Sequence, residues 1–220
     1  MKLSKVTREI LKNFHAINQS IVFKPGNMLR TASIQTHIIA SAQIDEEIPN
    51  EFAIYELSEL LSTIGIFTDP ELTFAGDDEP FTISEGKNVV KYVPSSQSLV
   101  SSAWGVEVED VTDDMIDVSF SLSKDVLEQV FKTSSILKLD DCAITNKGLK
   151  VFNKNDPTGN QLVIDIDFYK KRAGDFSFEV KVQNLKVLQM NYTAEIVSGS
   201  FIHLVSDNCR VEYFIALDAN

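Results

Sequence analysis

LSKVTREILKNFHAI at residues 3–17 and LSKDVLEQVFKTSS at residues 122–135 decide the fold. In each, a serine precedes apolar residues at helical spacing, and serine is a favoured N-cap because its hydroxyl oxygen accepts from a free first-turn amide. The first stretch predicts a helix from Ser4 to Ile17 with Val6, Ile10, Phe14 and Ile17 as its apolar stripe and Asn18 as its stop. The second predicts a helix carrying Val126, Leu127, Val130 and Phe131. Both place a lysine, Lys5 or Lys124, in the first turn, where the partial positive charge of the free N–H groups repels it by a few tenths of a kcal/mol.

Working outward, the first helix is followed by β-prone runs at Ile21 to Lys24, Met28 to Ile34, His37 to Ile44 and Ile48 to Ala53, with Pro25-Gly26-Asn27 as a turn. A second helix is expected from about Ile54 to Ile64, then strands near Leu72 to Ala75, Phe81 to Ser84 and Val89 to Val93. The serine-rich stretch from Pro94 to Asp110 reads as a connector. Beyond it, Ile116, Val118, Phe120 and Leu122 alternate with polar residues as in a half-buried strand. After the second LSK helix, strands are expected near Ile136 to Thr145, Leu149 to Asn153, Gln161 to Tyr169 and Phe176 to Val182. A short helix over Gln183 to Gln189 and strands near Tyr192 to Val197, Phe201 to Val205 and Val211 to Leu217 complete the pattern. The LSK pair, the Phe52 and Phe178 pair and the Ser84 and Ser206 pair are each offset by about 120 residues, the mark of an internal duplication. The expected class is therefore α+β, with two similar domains, 1–107 and 108–220, each carrying helices on one face of antiparallel sheets.

The chain has 220 residues, 44% of them hydrophobic, enough for two cores. No apolar run approaches the roughly 20 residues of a membrane span, and the charged N-terminal segment lacks the apolar core of a signal peptide, so a cytoplasmic protein is expected. Cys142 and Cys209 lie far apart without CxxC spacing and read as reduced, buried residues. His15, His37 and His203 show no zinc-protease spacing, and no nucleophile elbow or phosphate-binding glycine loop occurs, so neither a catalytic role nor a cofactor is expected. The acidic groups Asp77-Asp78-Glu79, Asp113-Asp114 and Asp165-x-Asp167 lack calcium-loop spacing and read as turn or solvated residues, so no metal is expected either.

With 32 Asp plus Glu against 20 Lys plus Arg, the formal charge is −12, which excludes nucleic-acid binding through a generally basic surface. The cations that remain are placed selectively. On a helical wheel Lys5, Arg8 and Lys12 fall within about 60° of one another, nearly opposite the Val6, Ile10 and Phe14 stripe. Lys124 and Lys132 lie on the polar face of the second LSK helix with Glu128 between them, and Lys186 is the only cation in the expected short helix.

MKLSK at the start, LKNFHAIN running into IVFKPGNM, FAIYELSELL, LDDCAIT, the glycine-aspartate turn before FSFEVKVQNLKV and the closing YFIALDAN together resemble the DNA polymerase sliding clamps of T-even-like bacteriophages, in order and spacing over nearly the whole chain. The resemblance implies the DNA-clamp fold and a homotrimeric ring lined by helices. It implies a non-catalytic processivity factor that encircles double-stranded DNA independently of sequence, is loaded by an ATP-dependent clamp loader and tethers the replicative polymerase in the host bacterial cytoplasm. Late-transcription factors are a further implied partner. Carried over by position, Lys5, Arg8, Lys12, Lys124, Lys132 and Lys186 would face the DNA phosphates. The connector departs from the family in lacking repeated prolines; Trp104 and Val106 stand there instead. The alternative reading is a β-rich virion structural or assembly protein with no DNA-tethering role.

Overall fold

Ser4 accepts a hydrogen bond from the Thr7 amide at 3.1 Å and opens α1, Lys5–Ile17, as the sequence indicates. The computed structural model describes residues 1–108, 110–156, 158–208 and 210–218. The chain divides into two compact units, Met1–Val108 and Glu109–Asn220.

In the first unit, β1 (Ile21–Phe23) pairs antiparallel with β4 (Phe52–Ile54), and β2 (Gly26–Ala32) with β3 (Ile38–Ile48). Helix α2 (Leu57–Ile64) follows, then an antiparallel sheet of β5 (Glu71–Thr73), β6 (Phe81–Glu85) and β7 (Asn88–Tyr92) in that order. Helix α1 packs on α2, β2 and β3. Its buried face is Thr7, Ile10, Leu11, Phe14 and Ile17, while Val6, expected in the stripe, is 59% exposed. Fully burying an Ile, Leu or Phe stabilises by about 1.5–3 kcal/mol, so these positions hold the helix to its sheets. Phe23, Phe52, Phe74, Phe81 and Tyr92 form a continuous aromatic core with neighbouring ring centroids 4.6 to 5.3 Å apart.

Three expectations for this unit are corrected, the first being the turn at Pro25-Gly26-Asn27: Gly26 and Asn27 already belong to β2, with Gly26 opposite Ile48. The runs at His37 to Ile44 and Ile48 to Ala53 resolve into one 11-residue strand, β3, followed by the short β4. Ile54 belongs to β4, opposite Ile21, so α2 begins only at Leu57, whose amide donates to the Gln19 carbonyl at 2.7 Å.

The connector is fastened to this unit. The Ser95 amide donates to Ala53 O at 2.9 Å, and two short 3-10 turns, Gln97–Leu99 and Ala103–Gly105, follow. Trp104 packs on Val22, Ala53 and Val100 and donates its indole N–H to Val22 O at 2.9 Å. Lys24 and Arg30 lie 5.4 and 5.9 Å from its ring centroid, and Arg30 also donates to Val106 O at 3.1 Å.

In the second unit Ser123 accepts from the Val126 amide at 3.3 Å, and α3, Lys124–Leu137, follows the strand β8, Val118–Leu122. The remaining strands are β9 (Asp141–Thr145), β10 (Gly148–Phe152), β11 (Leu162–Ile164), β12 (Phe168–Lys170), β13 (Ser177–Lys181), β14 (Tyr192–Val197), β15 (Phe201–Ser206) and β16 (Val211–Ala216). Their antiparallel pairings give one sheet in the order β11, β10, β9, β13 and a second run in the order β12, β8, β14, β15, β16. Leu127 and Val130 of α3 fill the core between them with Phe120, Leu122, Ile144, Leu149 and Leu204. Cys142 is buried in that core, where desolvation pushes its thiol up to about 12; Cys209 lies outside the described residues.

Three more expectations are corrected here. Residues Ile136 to Leu139 do not begin a strand: α3 runs on to Leu137, and Lys138, at φ 54°, ends it while the Leu139 amide bonds back to Ser134 O at 3.1 Å. Gln161 to Tyr169 is two strands in two different sheets, β11 on β10 and β12 on β8. The helix over Gln183 to Gln189 shrinks to one 3-10 turn, Val182–Asn184. Beyond it, Leu188 donates its amide to the Tyr213 hydroxyl at 3.2 Å and accepts from the Tyr192 hydroxyl at 2.8 Å, so the groups a helix would have used are taken by two buried tyrosines.

Candidate nucleic-acid interface

The cations singled out in the sequence fall into two groups, one in each unit. In the first, α1 buries the face centred on Thr7, Ile10 and Phe14 and turns the opposite face to solvent. Lys5 and Lys12 are exposed there; Arg8 is half-buried, its Nε donating to Leu3 O at 3.2 Å. Lys12 pairs with Glu9 at 2.9 Å, an exposed pair worth at most about 1 kcal/mol, whereas Lys5 makes no ion pair among the described residues.

A lysine in the first turn of α1 is tolerated because a carboxylate comes from elsewhere. Glu46, on β3, accepts hydrogen bonds from the Ser4 amide and, at 2.6 Å, from the Thr7 hydroxyl. This anion sits at the positive end of the helix, where negative charge is favoured. Desolvation pushes the Glu46 carboxyl up, but the hydrogen bonds from Ser4 and Thr7 outweigh it and hold the group below its ordinary 4.5. The carboxylate therefore stabilises the fold at neutral pH, and that contribution is lost as pH falls through the lowered folded value. Replacing Glu46 with alanine is expected to cost about 1–2 kcal/mol at pH 7, with the difference from wild type narrowing at acid pH in urea melts.

Sequence reasoning missed Glu46, which is 39 residues from Thr7. Its place was not legible in the sequence: the expected strands end at Ile44 and resume at Ile48, leaving Glu46 between them, whereas β3 runs through it. The far end of α1 is tied to the start of α2 by His15, whose Nε2 lies 3.2 Å from Glu56 Oε1.

In the second unit Lys124 and Lys132 share one carboxylate, Glu128, at 3.8 and 3.2 Å. With Asp125 also exposed, this face of α3 carries as many anions as cations among these four residues and is not basic by itself. Lys186 is not on a helix. It lines an open groove of about 510 Å³ with Phe131 and Ser134 of α3 and with Asp140, Lys181 and Gln183. The groove brings Lys186 beside α3, the element that carries Lys124 and Lys132. Lys181 is anchored there by the buried Asp141, which also accepts from the Lys154 amide at 2.7 Å. Among the described residues no cluster of histidine, cysteine or carboxylate side chains could hold a metal ion, and no helix is long and apolar enough to cross a membrane.

The fold is that of the DNA clamps: proliferating cell nuclear antigen from Entamoeba histolytica superposes with a TM-score of 0.71 over 96% of this chain and 94% of that one, at 12% identity. Residues 2–98 match the family described as DNA polymerase processivity factor. The sliding clamp of Vibrio phage KVP40 is 30% identical over 226 residues, covering all of both chains, and that of Escherichia phage RB69 is 26% identical over 231 residues, covering all of this chain and 98% of the other. The chain belongs to the phage sliding clamps, and its function is that of a non-enzymatic processivity factor whose partners are DNA and the DNA polymerase. The virion-protein alternative is not favoured.

Proposed function

We propose that three copies of this chain close into a ring around duplex DNA in the host cytoplasm, that an ATP-driven loader places the ring, and that it then tethers the replicative polymerase and serves late transcription. The observation that carries the ring is a pair of strand edges. In the sheet of β5, β6 and β7, the β5 edge is occupied by Met1, which exchanges two 2.7 Å bonds with Leu72; in the sheet ending at β13, the Glu179 carbonyl accepts from the Asp218 amide at 2.8 Å. The opposite edges, β7 and β11, bond only to β6 and β10 among the described residues. Each shows an exposed valine, Val89 at 61% and Val163 at 53%.

Such edges invite pairing by another chain. Exposed Lys87 and Lys91 accompany β7, and exposed Asp165 and Asp167 follow β11, so unlike edges of successive copies attract and like edges repel. A contact between two different surfaces of one chain closes into a ring when its rotation closes.

Three chains carry three times the formal charge of −12, so bulk attraction does not hold DNA. Enclosure does. Lys5, Arg8, Lys12, Lys124, Lys132 and Lys186 then need only weak, sequence-independent phosphate contacts that exchange as the ring moves. The test is primer extension with the cognate polymerase and loader, alongside native mass measurement. Longer products and a trimer mass are expected; unchanged product length overturns the tethering role, and a monomer mass overturns the ring. Replacing Lys5, Arg8 and Lys12 together with alanine is expected to reduce retention on DNA about tenfold at low salt while leaving the trimer intact. A collapsed trimer would show these residues to be structural.

A further inference from the structure

Lys170, Lys171 and Arg172 are the only adjacent cations in the chain, and they lie on neither α1 nor α3. They follow the exposed Tyr169 at the end of β12, and the chain then turns through Gly174, at φ 81°, into β13. The β9–β10 turn is fastened against this loop by Asn146, whose Nδ2 donates to Asp175 Oδ1 at 2.6 Å, which brings the exposed Lys147 alongside.

Two of the cations are held in place by uncharged groups. Lys170 donates to the backbone carbonyls of Asp113, at 3.0 Å, and Ile116, and the Lys171 ammonium stands 4.2 Å from the centroid of Phe168. Among the described residues none of Lys147, Lys170, Lys171 and Arg172 pairs with a carboxylate, whereas Lys2, Lys12, Lys124, Lys132, Lys154 and Lys181 all do. Exposed ion pairs add little to stability, so the fold does not require these cations to be paired, and the loop presents them beside a tyrosine that is 67% exposed.

We propose that this end of the second unit, Lys147, Lys171 and Arg172 with the ring of Tyr169, is a second DNA contact, separate from the helix cations. It rests on the reading that the protein encloses DNA. The phosphate backbone supplies closely spaced anions for the three cations, and bases at a frayed or single-stranded stretch supply flat faces on which Tyr169 can stack. Such a contact acts as a brake on a ring that otherwise slides freely.

The test replaces Tyr169 with the photo-crosslinker p-benzoylphenylalanine in the full-length chain, loads the ring onto primed circular DNA with the cognate loader, and irradiates it; a second variant carries the same probe at Lys5. Crosslinks to DNA from both positions are expected. A DNA crosslink from position 5 but none from position 169 overturns this inference and leaves the ring reading standing, as does a crosslink from 169 to polymerase or loader in place of DNA. No DNA crosslink from either position overturns both. As a second measurement, the Lys171→Ala, Arg172→Ala double variant is expected to leave a loaded duplex with free ends at least twofold faster at low salt, with the difference vanishing at high salt. Equal residence times at low salt overturn the proposal.

Discussion

Replacing Gly148 with alanine is expected to lower the unfolding midpoint of the second unit by about 10 °C, equivalent to about 3 kcal/mol. Two features act together. Gly148 has φ 120°, a backbone conformation that residues with a Cβ rarely adopt, and a Cβ there would lie 2.2 Å from the carbonyl oxygen of Ile164 on β11. That neighbour is backbone, so relief requires moving the strand. Since β11 is the edge proposed to pair with the next copy, the variant is also expected to weaken the proposed trimer and populate monomer at higher concentrations than wild type. Differential scanning calorimetry checks the first effect and native mass measurement the second. An unchanged midpoint would mean that β10 and β11 are not in the register that sets Leu149 opposite Ile164.

Replacing Asp141 with alanine is expected to cost about 2 kcal/mol at neutral pH. Its side chain is only 4% exposed and binds the Lys181 ammonium and the Lys154 amide, so its removal leaves both without a partner. Losing one member of a fully buried pair costs about 3–5 kcal/mol, but Lys181 is 39% exposed and water can partly replace the carboxylate, which sets the lower figure. Desolvation raises the Asp141 carboxyl, and the bonds from Lys181 and Lys154 more than reverse this, holding it below its ordinary 3.8. With the folded value depressed, the stabilisation is complete above the unfolded value and fades as pH falls through the folded one. Denaturant melts of wild type and variant should therefore differ by a constant amount from pH 6 to 8 and converge below about pH 4. A difference that grows on acidification would contradict the ion pair.

The parts of the fold legible in the sequence were those fixed by neighbours along the chain. Ser4 and Ser123 act on amides three residues ahead, and the alternation through Leu122 and through Val197 reports directly on the two faces of a strand. Distant partners set the rest. Thr7 is buried although polar because Glu46 receives its hydroxyl, and that rotates the buried face of α1 away from Val6. Tyr192 and Tyr213 remove the helical option from Leu188 across 4 and 25 residues.

The candidate interface was legible to the same degree. Lys5 and Lys12 follow from the wheel alone, whereas the neutral balance around Glu128 and the place of Lys186 in a groove needed the folded chain. The acidic turn at Asp77 and Asp78 reads in the sequence as a turn and is one: Asp77 accepts from the Glu51 amide at 2.8 Å, and Asp78 from Gln97 of the connector at 2.9 Å.

Trp104 is the only tryptophan in the chain, and it clasps the connector to the first unit through Val22. The protein therefore carries a native fluorophore at a single known place, with an indole half-shielded from water and flanked by two cationic side chains. Its emission wavelength and its quenching by iodide or acrylamide report whether the strap is seated, in the unlabelled protein and without regard to the second unit, whose tyrosines do not emit under selective excitation at the red edge of the band.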